Sequence, residues 1–157
     1  MALEDLPTRK GEVDLYIWDG VGVASGDLKA VVNKLQVGYY NTDGSPIYGF
    51  KPAGIMVNLY SAPIKYVTIS LAITPETWSN LDDLKPIAEN EVDRYFQQLK
   101  LGQTVVQSAL EASIKLISGV YDVTLLFSED GGVSWVTSNM IPDMNEIVVV
   151  QKPLVYA

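Results

Sequence analysis

The chain has no cysteine and no histidine. The first absence removes disulfides, thiolate nucleophiles and zinc–thiolate sites, and leaves the redox compartment unmarked. The second removes the commonest general base and the commonest transition-metal ligand. A catalyst made from this chain would have to work with carboxylates, Lys, Tyr, Ser or Thr, as glycosidases do. Positive charge is scarce too: Lys+Arg 11 against Asp+Glu 19 leaves a net charge of −8. Nucleic acid and anionic membranes both call for clustered cations, and the densest pair here, Arg9-Lys10, has no aromatic beside it. Neither partner is expected.

Long apolar runs are also missing. The most apolar stretch, Ala53 to Thr74, is interrupted by Asn58, Ser61, Pro63, Lys65 and Ser70, so it does not read as a spanning helix. The opening MALEDLPTRK lacks the apolar region of a signal peptide, and no N-x-[ST] acceptor occurs. The chain reads as soluble and made in the cytoplasm. Its 157 residues, 48% of them hydrophobic, suit one globular domain that buries roughly two-thirds of the surface its unfolded chain exposes. The expected organisation is a single α+β domain over 1–157, poorly ordered at 1–10, with 11–74 and 75–157 as sub-units.

Periodicity supplies the elements. Val13, Leu15 and Ile17 alternate with Asp14, Tyr16 and Trp18, which is strand spacing. Ser25 then stands where a helix cap belongs, with Asp27 at the positive end. Leu28, Val31, Val32, Leu35 and Tyr39 follow at 3-4 spacing, predicting a helix to about Tyr40 whose stripe enters the core. Asn41 to Ala53 carries two Gly and two Pro in thirteen residues and reads as a surface loop. Ile55, Val57 and Leu59, then Val67, Ile69, Leu71 and Ile73, predict two strands, joined by Ser61-Ala62-Pro63 into an antiparallel hairpin. Pro86 belongs in a helix's first turn, and Ala88, Val92, Tyr95, Phe96 and Leu99 mark that helix's buried face. A further helix is expected from Gln103 or Thr104, with Val106, Leu110, Ile114 and Ile117 as its stripe and Gly119 after its end. Strands at Tyr121–Phe127, Val133–Thr137 and Ile147–Val150 complete the order β-α-β-β-α-α-β-β-β. That order favours an α+β fold, a largely antiparallel sheet with helices packed on one face.

Three groups of residues bear on chemistry. Ser128-Glu129-Asp130-Gly131-Gly132-Val133-Ser134-Trp135 matches S-x-D-x-G-x-[ST]-W, which resembles the Asp-box of sialidases and related β-propellers. The box is a turn device: the carboxylate accepts backbone N–H groups, Gly supplies positive φ, and Trp packs beneath. A single copy in a chain too short for a propeller makes Ser128, Asp130, Gly132 and Trp135 a structural turn. Asp82, Asp83, Glu89, Glu91 and Asp93 form an acidic group, but Glu89 and Asp93 share a helix face opposite the apolar stripe, which reads as solvated. Gly20-Val21-Gly22 lacks the context of a nucleotide-binding loop. No catalytic, cofactor-binding or metal-ligating residue is therefore assigned. Tyr48 and Phe50 are different, because large aromatics in a surface loop are the residue types that anchor interfaces. They are the interface candidates, unless the loop folds back and tucks both rings onto its own domain.

Several segments together resemble the phage baseplate J-like proteins. Lys10-Gly11-Glu12-Val13-Asp14-Leu15-Tyr16-Ile17, then Ala24-Ser25 opening a helix, is similar to the middle of that family. So is Pro52-Ala53-Gly54-Ile55-Met56-Val57, leading into a strand. The resemblance is strongest at Leu101-Gly102-Gln103-Thr104-Val105-Val106-Gln107-Ser108-Ala109-Leu110 and at Ile117-Ser118-Gly119-Val120-Tyr121-Asp122-Val123. In the family that last piece is a helix ending at a Gly-Val-x-Asp-Val strand start, often with Pro where Ser118 stands. The resemblance spans roughly residues 10 to 150.

What the resemblance implies is a structural, protein-binding component of a bacteriophage or prophage tail baseplate. It implies no catalytic motif and no cofactor, a place in the virion after synthesis in the host cytoplasm, and a position in the C-terminal portion of a longer protein. Partners would be other baseplate or tail proteins and copies of the chain itself, a homo-oligomer in the assembled tail. Two readings compete. One is a small-ligand-binding regulatory module on a ferredoxin-like scaffold, suggested by the β-α-β-β-α order. The other is a carboxylate glycosidase, suggested by the Asp-box.

Overall fold

The computed structural model describes residues 2–4, 11–20, 24–52 and 54–157. The expectation for residues 1–10 and the readings of Arg9-Lys10 and Gly20-Val21-Gly22 fall wholly or largely outside these residues. The elements run β1 (Ala2–Glu4), β2 (Glu12–Ile17), α1 (Gly26–Val37), β3 (Gly38–Tyr40), β4 (Pro46–Tyr48), β5 (Met56–Ser61), β6 (Ile64–Pro75), α2 (Leu81–Gln97), α3 (Gln107–Lys115), β7 (Val120–Ser128) and β8 (Ile147–Tyr156). The fold is α+β, and among the described residues three of the five strand pairings are antiparallel. The chain divides into two compact units, Met1–Pro63 and Ile64–Ala157.

In the first unit β2 is central, antiparallel to β1 and parallel to β5. The register sets Val13 beside Val57 and Leu15 beside Leu59, so the apolar positions of both strands share one face. A parallel pair needs a long crossover, and α1 with the β3–β4 hairpin supplies it. The expected β5–β6 hairpin does not form: the two strands belong to different sheets. β6 is buried on both faces, Val67, Ile69 and Leu71 on one and Thr68 and Ser70 on the other. Its own neighbours in the sheet are β7 and β8.

Ser25 caps α1 as expected, its Oγ accepting from the Leu28 N–H at 3.2 Å. The helix stops at Val37 rather than Tyr40, because Gly38 turns to φ 90° and opens a strand. The predicted loop is likewise interrupted, since Pro46–Tyr48 pairs antiparallel with Gly38–Tyr40. No residue of α1 is buried, and Val31 and Leu35 are exposed. The expectation that this stripe enters the core is corrected: Leu28 and Val32 are only half-buried, and no residue of the helix is fully buried.

The second unit holds most of the core. β6 lies between β7, antiparallel, and β8, parallel. α3 packs against β7, and α2 against β6 and β8. Leu84, Ala88, Val92 and Phe96 of α2 and Leu110 and Ile114 of α3 are buried, as are Val67, Ile69, Leu71, Leu125 and Phe127. α2 begins five residues before Pro86, where Asn80 Oδ1 accepts from the Asp82 N–H at 3.1 Å and Asp82 and Asp83 sit in the first turn. α3 begins at Gln107, later than expected, because Val105 is held extended by paired bonds with Met140, 2.9 and 3.0 Å. The predicted strand at Val133–Thr137 shrinks to a single bridge between Phe127 and Val136. β8 runs on to Tyr156, and Pro153, which has no N–H to give a ladder, falls where the β6–β8 register shifts.

Candidate functional site

The three groups singled out from sequence land in three separate places. The Asp-box forms a closed turn after β7. Asp130 Oδ1 accepts from Ser128 Oγ at 2.6 Å, from the Val133 N–H at 3.0 Å and from the Ser134 N–H at 2.9 Å. Ser128 Oγ in turn accepts from the Gly132 N–H at 2.8 Å. Gly131 and Gly132 take φ 73° and 98°, and a Cβ on Gly132 would lie 3.3 Å from the half-buried Trp135 ring. The Ser128 hydroxyl above all, then Ser134 and Val133, hold the Asp130 carboxyl well below the usual carboxylate range. All three bonds end on one oxygen, so this carboxylate serves its own turn. The same bonds explain the lost strand, since the Val133 and Ser134 N–H groups go to Asp130 rather than to β7.

The acidic group disperses. Asp82 pairs with Lys85 at 2.9 Å and Glu91 with Arg94 at 2.5 Å, with Ser113 Oγ also donating to Glu91. Glu89 accepts from the Tyr156 hydroxyl at 3.0 Å, and Asp93 pairs with Lys152 at 3.0 Å. The expectation of a solvated face is corrected for Glu89 and Asp93: both are half-buried and tie α2 to β8. Each follows a buried stripe residue, Ala88 or Val92, and so lies at the border of the apolar face rather than opposite it. Among the described residues no group of three His, Cys, Asp or Glu could hold a metal ion. No helix among them is long and apolar enough to cross a membrane.

The aromatic candidates stand on the β3–β4 hairpin. Its tip, Asn41 to Ser45, is closed by the Asn41 N–H donating to the Ser45 carbonyl at 2.8 Å, with Asp43 Oδ1 accepting from the Ser45 N–H at 2.9 Å. That bond is the main reason the Asp43 carboxyl titrates below its ordinary value. The returning chain is bound to the C-terminal end of α1, the Phe50 and Lys51 N–H groups donating to the Leu35 and Gln36 carbonyls at 3.1 and 2.8 Å. Gly49 makes this possible, since a Cβ there would collide with the Gln36 carbonyl. Tyr48 is 86% exposed and Phe50 81%. Tyr40, which the sequence reading left on the helix, joins them at 78%. The missed signal was Gly-Tyr-Tyr-Asn-Thr-Asp-Gly-Ser-Pro-Ile-Tyr-Gly, an Asp-Gly turn between two short apolar runs.

A further missed pair guards the sheet of the second unit. Glu111 accepts from the Leu125 N–H at 2.9 Å, and Gln107 Nε2 donates to the Leu125 carbonyl at 2.5 Å. The two side chains, one helical turn apart on α3, occupy the outer edge of β7 that a foreign strand would otherwise use. The other edge strand, β8, carries Lys152 and Pro153, both of which discourage strand addition.

Comparison with protein-family models matches residues 67–150 to the baseplate J-like protein C-terminal domain. Comparison with curated proteins returns no match.

Proposed function

The chain belongs to the baseplate J-like protein family, and from that premise we propose that it acts in tail assembly by binding other baseplate or tail proteins and further copies of itself. Membership makes it a structural component of a phage tail baseplate. The observation that carries the assignment is the match over residues 67–150, which takes in most of β6, the acidic helix α2, α3, β7, the Asp-box turn and the start of β8. Its chemistry supports a structural role: the Asp130 carboxylate is engaged in its own turn, and most of the acidic group is engaged in ion pairs or hydrogen bonds. We assign no catalytic or cofactor-binding residue, and place synthesis in the host cytoplasm before incorporation into the virion.

Tyr48 and Phe50 are the proposed anchors for partners, because each offers a large apolar ring to solvent from a hydrogen-bonded hairpin. The test is co-purification of the tagged chain with the products of neighbouring genes, which should encode tail tube, sheath, spike or lysozyme-like proteins. Capture of these by the wild-type chain, and weaker capture by a Tyr48→Ala/Phe50→Ala variant, is the expected result. A neighbourhood of metabolic genes and no tail protein retained would overturn the assembly role.

A further inference from the structure

We propose that the face of the β3–β4 hairpin bearing Tyr40, Pro46 and Tyr48, continued by Phe50, seats a second copy of this chain in a two-fold contact. The proposal rests on the structural role given above and names one of its partners. Residues directly opposite in an antiparallel pair share a face, and faces alternate along the strand. The register sets Gly38 opposite Tyr48, Tyr39 opposite Ile47 and Tyr40 opposite Pro46. Tyr40, Pro46 and Tyr48 therefore stand together, and Gly38 brings no side chain to cover the Tyr48 ring. Phe50, two residues on, is held by its N–H bond to α1. The platform is ordered before anything binds, which lowers the entropic cost of association.

Two quantities select the occupant. The three rings, at 78%, 86% and 81% exposure, offer on the order of 500 Å². With Pro46 and its rim, that is a large part of the roughly 800 Å² that each partner contributes to a standard interface. Charge is the second. The whole chain carries −8, so two copies repel wherever acidic surfaces meet. From Gly38 to Phe50 the one charged residue is Asp43, at the tip, with its carboxylate turned to the Ser45 N–H. A basic partner would find almost no carboxylate to pair with on this face. A neutral aromatic and proline surface fits it, and the same face of a twin is such a surface. Edge-to-edge pairing of the second unit is opposed by Glu111, Gln107, Lys152 and Pro153.

The test is the solution mass of the full chain, measured by light scattering over a range of micromolar concentrations. The expected result is a concentration-dependent dimer that a Tyr40→Ser/Tyr48→Ser/Phe50→Ser variant no longer forms while melting at the wild-type temperature. Because the chain has no cysteine, a Tyr48→Cys variant gives a second reading that does not depend on the triple variant folding. Under mild oxidation it should become a disulfide-linked dimer much faster than a Leu116→Cys variant, whose site is also exposed but lies in the second unit. A wild-type chain that stays monomeric, a dimer that survives the triple variant, or equal cross-linking at both sites would each overturn the proposal. A monomeric chain that captures a tail protein through the hairpin would also overturn it, while leaving the assembly role standing.

Discussion

At the scale of single residues, Asp130 and the hairpin rings make opposite predictions. Asp130 holds a turn through three accepted hydrogen bonds, so its loss should be felt in stability and nowhere else. Its folded pKa is depressed, which means its stabilisation is fully present above the unfolded value of about 3.9 and is lost as pH falls through the folded value. An Asp130→Asn variant should melt below wild type at neutral pH, and the gap should narrow as pH drops below about 4. Thermal melts of both proteins at pH 7 and pH 3 check this, and an equal gap at the two values would show that the charge is irrelevant to the turn. Tyr48 and Phe50 should behave in the contrary way. Exposed as they are, Tyr48→Ala/Phe50→Ala should leave the melting temperature of the isolated chain nearly unchanged and weaken its assembly. An early-melting double variant that still assembles once refolded would place the interface elsewhere.

Among the elements, the helices separate by what they bury. Leu110 of α3 is fully buried, so Leu110→Ala should cost about 2–5 kcal/mol through lost transfer energy and a residual cavity. Leu35 holds an equivalent place in the α1 stripe but is exposed, so Leu35→Ala should change stability by no more than about 0.5 kcal/mol in the isolated chain. Chemical denaturation of the two variants decides it, and a large loss at Leu35 would mean that α1 is packed after all. From sequence these stripes look alike, because periodicity reports that a helix is amphipathic and not what it faces. The same limit accounts for what was legible. Strong alternation at Val67–Ile73 and the Ser25 cap were read correctly, since each depends on local spacing. The β5–β6 hairpin was misread because pairing is a choice among distant strands: β5 pairs with β2, and β6 with β7 and β8. Pro86 misplaced the start of α2 because a capping Asn80 six residues upstream outweighs one missing N–H. Among the candidate sites, the Asp-box turn was readable because all its partners lie within seven residues. The acidic group was not, since Glu89 and Asp93 find Tyr156 and Lys152 some sixty residues away.

For the molecule as a whole, the balance to weigh is a charge of −8 against a mainly neutral aromatic face. The second unit, Ile64–Ala157, contains its own core on β6, α2, α3 and β7, whereas the first has few buried residues among those described and presents the hairpin rings. The unit 64–157 expressed alone should therefore retain a cooperative melt in a thermal scan, and loss of that melt would show that its core depends on residues 1–63. Salt tests the other half of the argument. If two copies meet through Tyr40, Pro46, Tyr48 and Phe50, the favourable term is apolar burial, which moderate salt leaves intact or strengthens. The opposing term is repulsion between two acidic chains, which salt screens as the Debye length shortens from about 30 Å at 0.01 M to about 8 Å at 0.15 M. Self-association should thus tighten as sodium chloride rises over that range. An interface built on ion pairs, such as one joining the acidic α2 to basic residues of a neighbour, would weaken under the same change. Dimer fractions measured at the two salt concentrations separate these cases, and a dimer that dissociates with added salt would put the contact on charged surface rather than on the hairpin.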